Sequence, residues 1–162
     1  MSTAESLHPA LFARLVDGLY VEAMVMADEA RAYFDRYAEA ERSRLDVMTR
    51  LSFTCESLKV TTRLMHVIAW LLTQRAWQRG EVSDEALRDP KYRLGAAAPT
   101  EAAVLAGMPG TARDLVLGSQ SLYDRVVRLQ QSMLPDEVPR SGGEAGAPSP
   151  AHDLLLRLER SL

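Results

Sequence analysis

Glu56, Lys59, Arg63, Trp70, Gln74 and Trp77 are the side chains in this sequence most able to bind or react together. Projected at about 100° per residue, they share one side of a helix. Lys59, Arg63 and Gln74 supply N–H donors and two positive charges, the chemistry of a small anion pocket as in all-helical mutases. No matching acid or base accompanies them. Trp and Arg together are also what protein interfaces concentrate at their energetic centres. The face therefore admits three readings: packing beneath another helix, contact with a second copy or a different protein, or an anion-binding enzyme site. Packing and protein contact weigh about equally for this face; protein contact is the leading functional reading, and a helical-bundle enzyme or small-anion binder using Lys59, Arg63 and Gln74 is the alternative.

Other chemistry is absent from the pattern. His8, His66 and His152 fall in three separate regions, and none has a Cys or carboxylate at metal-ligand spacing. Glycine-rich phosphate loops and a Gly-x-Ser-x-Gly elbow are missing. The single Cys55 has no base beside it and cannot form an intrachain disulfide, which fits a reducing, cytoplasmic compartment. No catalytic residue, metal ligand or cofactor is assigned.

These residues need a rigid support, and the stretch 45–79 provides it. It holds no Gly or Pro, and Met48, Leu51, Cys55, Leu58, Met65, Ala69, Leu72 and Ala76 recur in steps of three and four, with Thr62 in the one polar slot. That rhythm predicts the packed seam of a helix about 50 Å long, with Cys55 as an inert core thiol. Residues 64–72 are apolar on almost every side, so this pillar must be covered all round. Two flanking helices cover two sides; the third asks for another subunit, hence a homodimer.

An earlier helix over 9–37 follows from Pro9 and the rhythm of Phe12, Leu15, Leu19, Ala23, Met26, Ala30, Phe34 and Tyr37. The turn falls in 38–44, with Ser43 as the cap of the pillar. Gly80 stops the pillar. Residues 81–110 then read as a long connection: a helical turn at 83–87, an extended piece at 91–94 and a short helix at 99–105. A last helix starts at Thr111, with Asp114 completing a capping box, and ends at Pro135. Its stripe is Leu115, Leu122, Val126, Leu129 and Met133, with Ser119 as a small polar member.

The expected fold is all-α: a three-helix bundle with a long central helix, a long second connection and a disordered C-terminal tail. The bundle domain is placed at 1–134 and the tail at 135–162. Prolines and glycines make 135–150 a flexible linker by composition. Beyond it, Leu154, Leu155 and Leu158 would share one side of a helix, the arrangement of a peptide that docks in a groove, on a partner or on its own bundle. A net charge of −3 argues against a nucleic-acid or anionic-membrane binder. The N-terminus does not read as a signal peptide, and the longest apolar run falls far short of the ~20 residues that span a bilayer.

Glu56-Ser57-Leu58-Lys59-Val60-Thr61-Thr62-Arg63-Leu64-Met65, continuing through Ala69-Trp70-Leu71-Leu72-Thr73-Gln74-Arg75-Ala76, resembles the signature of the RcdA family, the alphaproteobacterial regulators of CtrA degradation. Ala30-Arg31-Ala32-Tyr33-Phe34-Asp35 and Ser121-Leu122-Tyr123-Asp124-Arg125-Val126 stand where that family's first and third helices belong. The family's first turn usually has glycine, whereas 36–43 here has none. The resemblance implies a dimerising three-helix bundle and a non-enzymatic adaptor in cell-cycle proteolysis. Such an adaptor helps deliver substrates to the ClpXP protease, in a hierarchy with CpdR and PopA.

Overall fold

Pro9 brings the fixed φ that a first helical turn needs, and α1 (Pro9–Arg36) begins on it, with His8 Nδ1 accepting from the Ala10 N–H at 3.2 Å. The computed structural model describes residues 8–134. A short α2 (Ala38–Arg42) lies within the predicted turn, and Ser43 closes it, its Oγ donating to the Ala40 carbonyl at 2.9 Å. Asp46, in an extended conformation, is the residue that starts α3 (Val47–Gln78), so the expected cap at Ser43 belongs to the preceding helix instead.

Gly80 ends α3 with φ +75°, a conformation that side chains with a Cβ rarely adopt. Its N–H donates to the Trp77 carbonyl and the Glu81 N–H to the Ala76 carbonyl, both at 2.9 Å, which satisfies the last turn. The connection then runs through α4 (Asp84–Leu87), capped by Ser83, and a 3-10 turn at Pro90–Tyr92 where an extended piece was expected. A strap without helix or strand, residues 93–101, follows, then α5 (Ala102–Ala106) and α6 (Gly110–Met133). The capping box at Thr111 and Asp114 does not form, because α6 opens directly after Pro109 with no side-chain cap.

Phe12 meets Trp77 edge to face, while Phe34 meets Phe53 near the other end, so α1 and α3 are antiparallel. Arg63 of α3 reaches Ser119, and Arg125 of α6 grips Glu22 of α1 with both terminal nitrogens. Thus α6 runs parallel to α3, and the connection crosses the whole bundle to make that possible. The core is Val16, Ala23 and Tyr33 of α1, Phe53, Val60, Val67, Trp70 and Leu71 of α3, and Val116, Leu122 and Val126 of α6. Ser119 and the stripe expected for α6 face it, with Met133 half-buried.

The pillar's inward side is the opposite of the expected one. Met48, Leu51, Leu58, Met65 and Leu72 are 70%, 56%, 63%, 63% and 44% exposed, and Cys55 is exposed among them rather than in the core. Buried instead are Phe53, Glu56, Val60, Arg63, Val67, Trp70 and Gln74. The two stripes have the same spacing and sit two residues, about 200°, apart. Hydrophobicity selects the outward one because the inward one carries two charges and an amide.

Candidate functional site

The inward polar stripe of α3 builds one connected network. Arg63 is 0% exposed and Glu56 2%. Arg63 Nη1 donates to Ser119 Oγ at 3.2 Å, and Nη2 donates to the Ala98 carbonyl at 2.8 Å and to Thr100 Oγ1 at 2.7 Å. Thr100 passes its own hydroxyl proton toward Glu56 Oε2 at 2.5 Å, standing between the two charges. Lys59 Nζ closes the chain, donating to Glu56 Oε1 at 2.7 Å and to the Pro99 carbonyl at 3.3 Å. Burial pulls the Arg63 guanidinium below its ordinary range, opposed by the charges of Glu56 and Asp124. Guanidinium remains charged at neutral pH regardless.

These bonds hold the strap against α3 and α6 through the Ala98 and Pro99 carbonyls and the Thr100 hydroxyl. Higher up, the Leu94 N–H donates to Gln130 Oε1 at 2.7 Å, and Tyr123 OH donates to the Gly95 carbonyl at 2.8 Å. Gly95 lies so close to the His66 ring that a Cβ there would stand 2.6 Å from Nδ1. Gly95→Ala is therefore expected to lower stability by about 1–3 kcal/mol through overpacking. Thermal melting checks this, and His66→Ala in the same chain should recover part of the loss.

The six residues expected to share a face do share it, but the chain covers most of that face itself. Glu56, Arg63, Trp70 and Gln74 are buried within the chain, and Lys59 and Trp77 are half-buried. The Trp77 indole N–H donates to Asp84 Oδ1 at 2.6 Å. Gln74 lies three turns, about 16 Å, along the helix from Arg63, so it does not converge with Lys59 and Arg63 on one point. The donors of Lys59 and the terminal nitrogens of Arg63 go to protein acceptors. Among the described residues, no group of three or more His, Cys, Asp or Glu is arranged to hold a metal ion. His152 and the tail leucines Leu154, Leu155 and Leu158 lie outside the described residues.

Sequence reasoning missed Thr100, Gly95, Tyr123 and Gln130 as anchors of the strap. Ser119 carried the one visible signal, a small hydroxyl in an otherwise apolar stripe. The outward stripe of α3 was also missed as an exposed surface. From Met48 to Leu72 it runs about 36 Å along the helix, and no element of the described chain buries it.

A family model described as "Protein of unknown function (DUF1465)" matches residues 7–162. The chain is also similar to a solved structure, that of RcdA from Caulobacter crescentus CB15, at 29% identity and a TM-score of 0.62. That match covers 80% of this chain and 96% of the other. No curated protein matches the sequence.

Proposed function

The chain belongs to the DUF1465 family and is RcdA-like, and from that premise we propose that it is a non-enzymatic proteolytic adaptor. It works in the cytoplasm as a homodimer and assists delivery of CtrA-type regulators to the ClpXP protease, beside adaptors of the CpdR and PopA kind. The observation that carries this reading is the exposed stripe of Met48, Leu51, Leu58, Met65 and Leu72. An apolar row of this length on one rigid helix is a surface for another protein. A second copy covers it by the same residues on both sides of a two-fold axis. Lys59 remains partly accessible at the edge of the other face for a further partner. No helix among the described residues is long and apolar enough to cross a membrane.

The anion-binding alternative has less support, because Lys59 and the terminal nitrogens of Arg63 already bind protein acceptors and Gln74 lies about 16 Å along the helix from Arg63. A degradation assay tests the adaptor reading: purified ClpXP, CpdR and a CtrA-type substrate, with and without this protein. Substrate loss is expected to accelerate several-fold at substrate concentrations below saturation, as tethering raises effective concentration. Unchanged kinetics across a range of substrates, together with a thermal shift of several degrees in millimolar phosphate, would favour the anion binder.

A further inference from the structure

Where α1 starts and α3 and α6 finish, the bundle holds a groove of about 640 Å³ lined by Pro9, Phe12, Ala13, Trp77 and Met133, among others. Its walls are largely apolar, with the Phe12 and Trp77 rings packed edge to face at 6.1 Å between centroids. That volume is in the range of clefts that enclose a ligand, about 300–1,000 Å³. The strap network and the outward stripe of α3 make no use of it.

We infer that the groove is the docking site of this chain's own leucine-rich segment, residues 151–162. Met133, the last residue of α6, is part of the groove wall, so the chain beyond it departs from the rim. Roughly 20 residues separate the rim from Leu154 in sequence, and a random coil of that length would have an r.m.s. span of about 25 Å. Returning to its own origin is well within reach. Closing such a loop carries a small entropic penalty, and the effective concentration is of order millimolar. On a helix, Leu154, Leu155 and Leu158 would share one apolar side, which matches an apolar groove rather than a polar one. The family pattern extends to residue 162, so the segment is part of what the family model describes. Residues 1–7, joined to the rim through His8 and Pro9, bring fewer large apolar side chains and no such cluster. This inference is independent of the adaptor reading.

Amide hydrogen exchange on the full chain tests it. Three proteins are compared: the parent, Ala13→Glu, which puts a carboxylate in the groove wall, and the triple variant Leu154→Ser, Leu155→Ser, Leu158→Ser. In the parent, amides of 151–162 are expected to exchange at least roughly tenfold slower than free chain, unchanged on dilution. Both variants should abolish that protection while core amides of α3 and α6 keep theirs. Free-chain exchange in the parent overturns the proposal, as does protection that survives Ala13→Glu in a folded bundle. Protection that grows with protein concentration would assign the groove to a second copy's segment. Should removal of residues 1–7, but not the serine substitutions, expose the first turn of α1, the N-terminal segment is the occupant and the proposal fails.

Discussion

Arg63→Met is expected to lower the unfolding free energy by about 3–5 kcal/mol, since three buried partners lose a charged donor and Glu56 loses one of its two neighbouring cations. Glu56, 2% exposed, would keep Lys59 and the Thr100 hydroxyl but lose the guanidinium charge opposite. Ser119 and the Ala98 carbonyl would lose their donor as well. For a bundle of this size the melting temperature should fall by roughly 10–20 °C. Met fills much of the vacated volume, so the loss reports on polar partners more than on packing. Arg63→Met combined with Glu56→Met should cost less than the sum of the two single changes, since the buried carboxylate no longer has to be held by Lys59 alone. Denaturant unfolding of the two variants decides the matter. A loss below about 1 kcal/mol in the single variant would mean that the network positions the strap without holding the fold.

Leu58→Asp with Met65→Asp should weaken self-association by more than roughly 100-fold, equivalent to about 2.7 kcal/mol, while leaving the bundle folded. Both side chains are 63% exposed, and they stand two turns apart on the outward stripe. Substitutions at such positions change monomer stability by roughly 0.5 kcal/mol or less. Burial of a Leu or Met side chain contributes about 1.5–3 kcal/mol, so losing two and desolvating two carboxylates is a large effect at an interface. Sedimentation equilibrium across a dilution series gives the answer, with circular dichroism as the folding control. A parent that stays monomeric at micromolar concentration rules out the homodimer. A double variant that dimerises like the parent moves the interface off this stripe.

Local chemistry made the element boundaries legible. Pro9, Gly80, Pro90 and Gly107 each act through their own backbone, and each stands at a start, stop or break of a helix. The α6 stripe was legible for the same reason, since its buried side is also its apolar side. The orientation of α3 was not. Its inward stripe includes Glu56, Arg63 and Gln74, which read as surface residues until their partners are known. Those of Arg63 lie between 35 and 56 positions away in sequence: the Ala98 carbonyl at the near end, Ser119 at the far end, with the Thr100 hydroxyl between. No local window contains that information. The strap hid itself for a related reason: its anchors are main-chain carbonyls and one N–H, groups every residue has. Only Gly95 and Thr100 leave a mark in the amino-acid types, one by what it lacks and the other by a hydroxyl that donates and accepts.

Pro9 and Met133 border the same groove, so the first and last residues of the bundle's helices are neighbours in space. The path of the chain is therefore almost a closed circuit: down α1, back up α3, across by the strap, and up α6 to where it began. A short joining segment between the ends of α1 and α6 would complete the ring. Opening it afresh at 43–45, in the turn ahead of Asp46, would shift the termini to the opposite end of the bundle and leave all three helix-to-helix faces uncut.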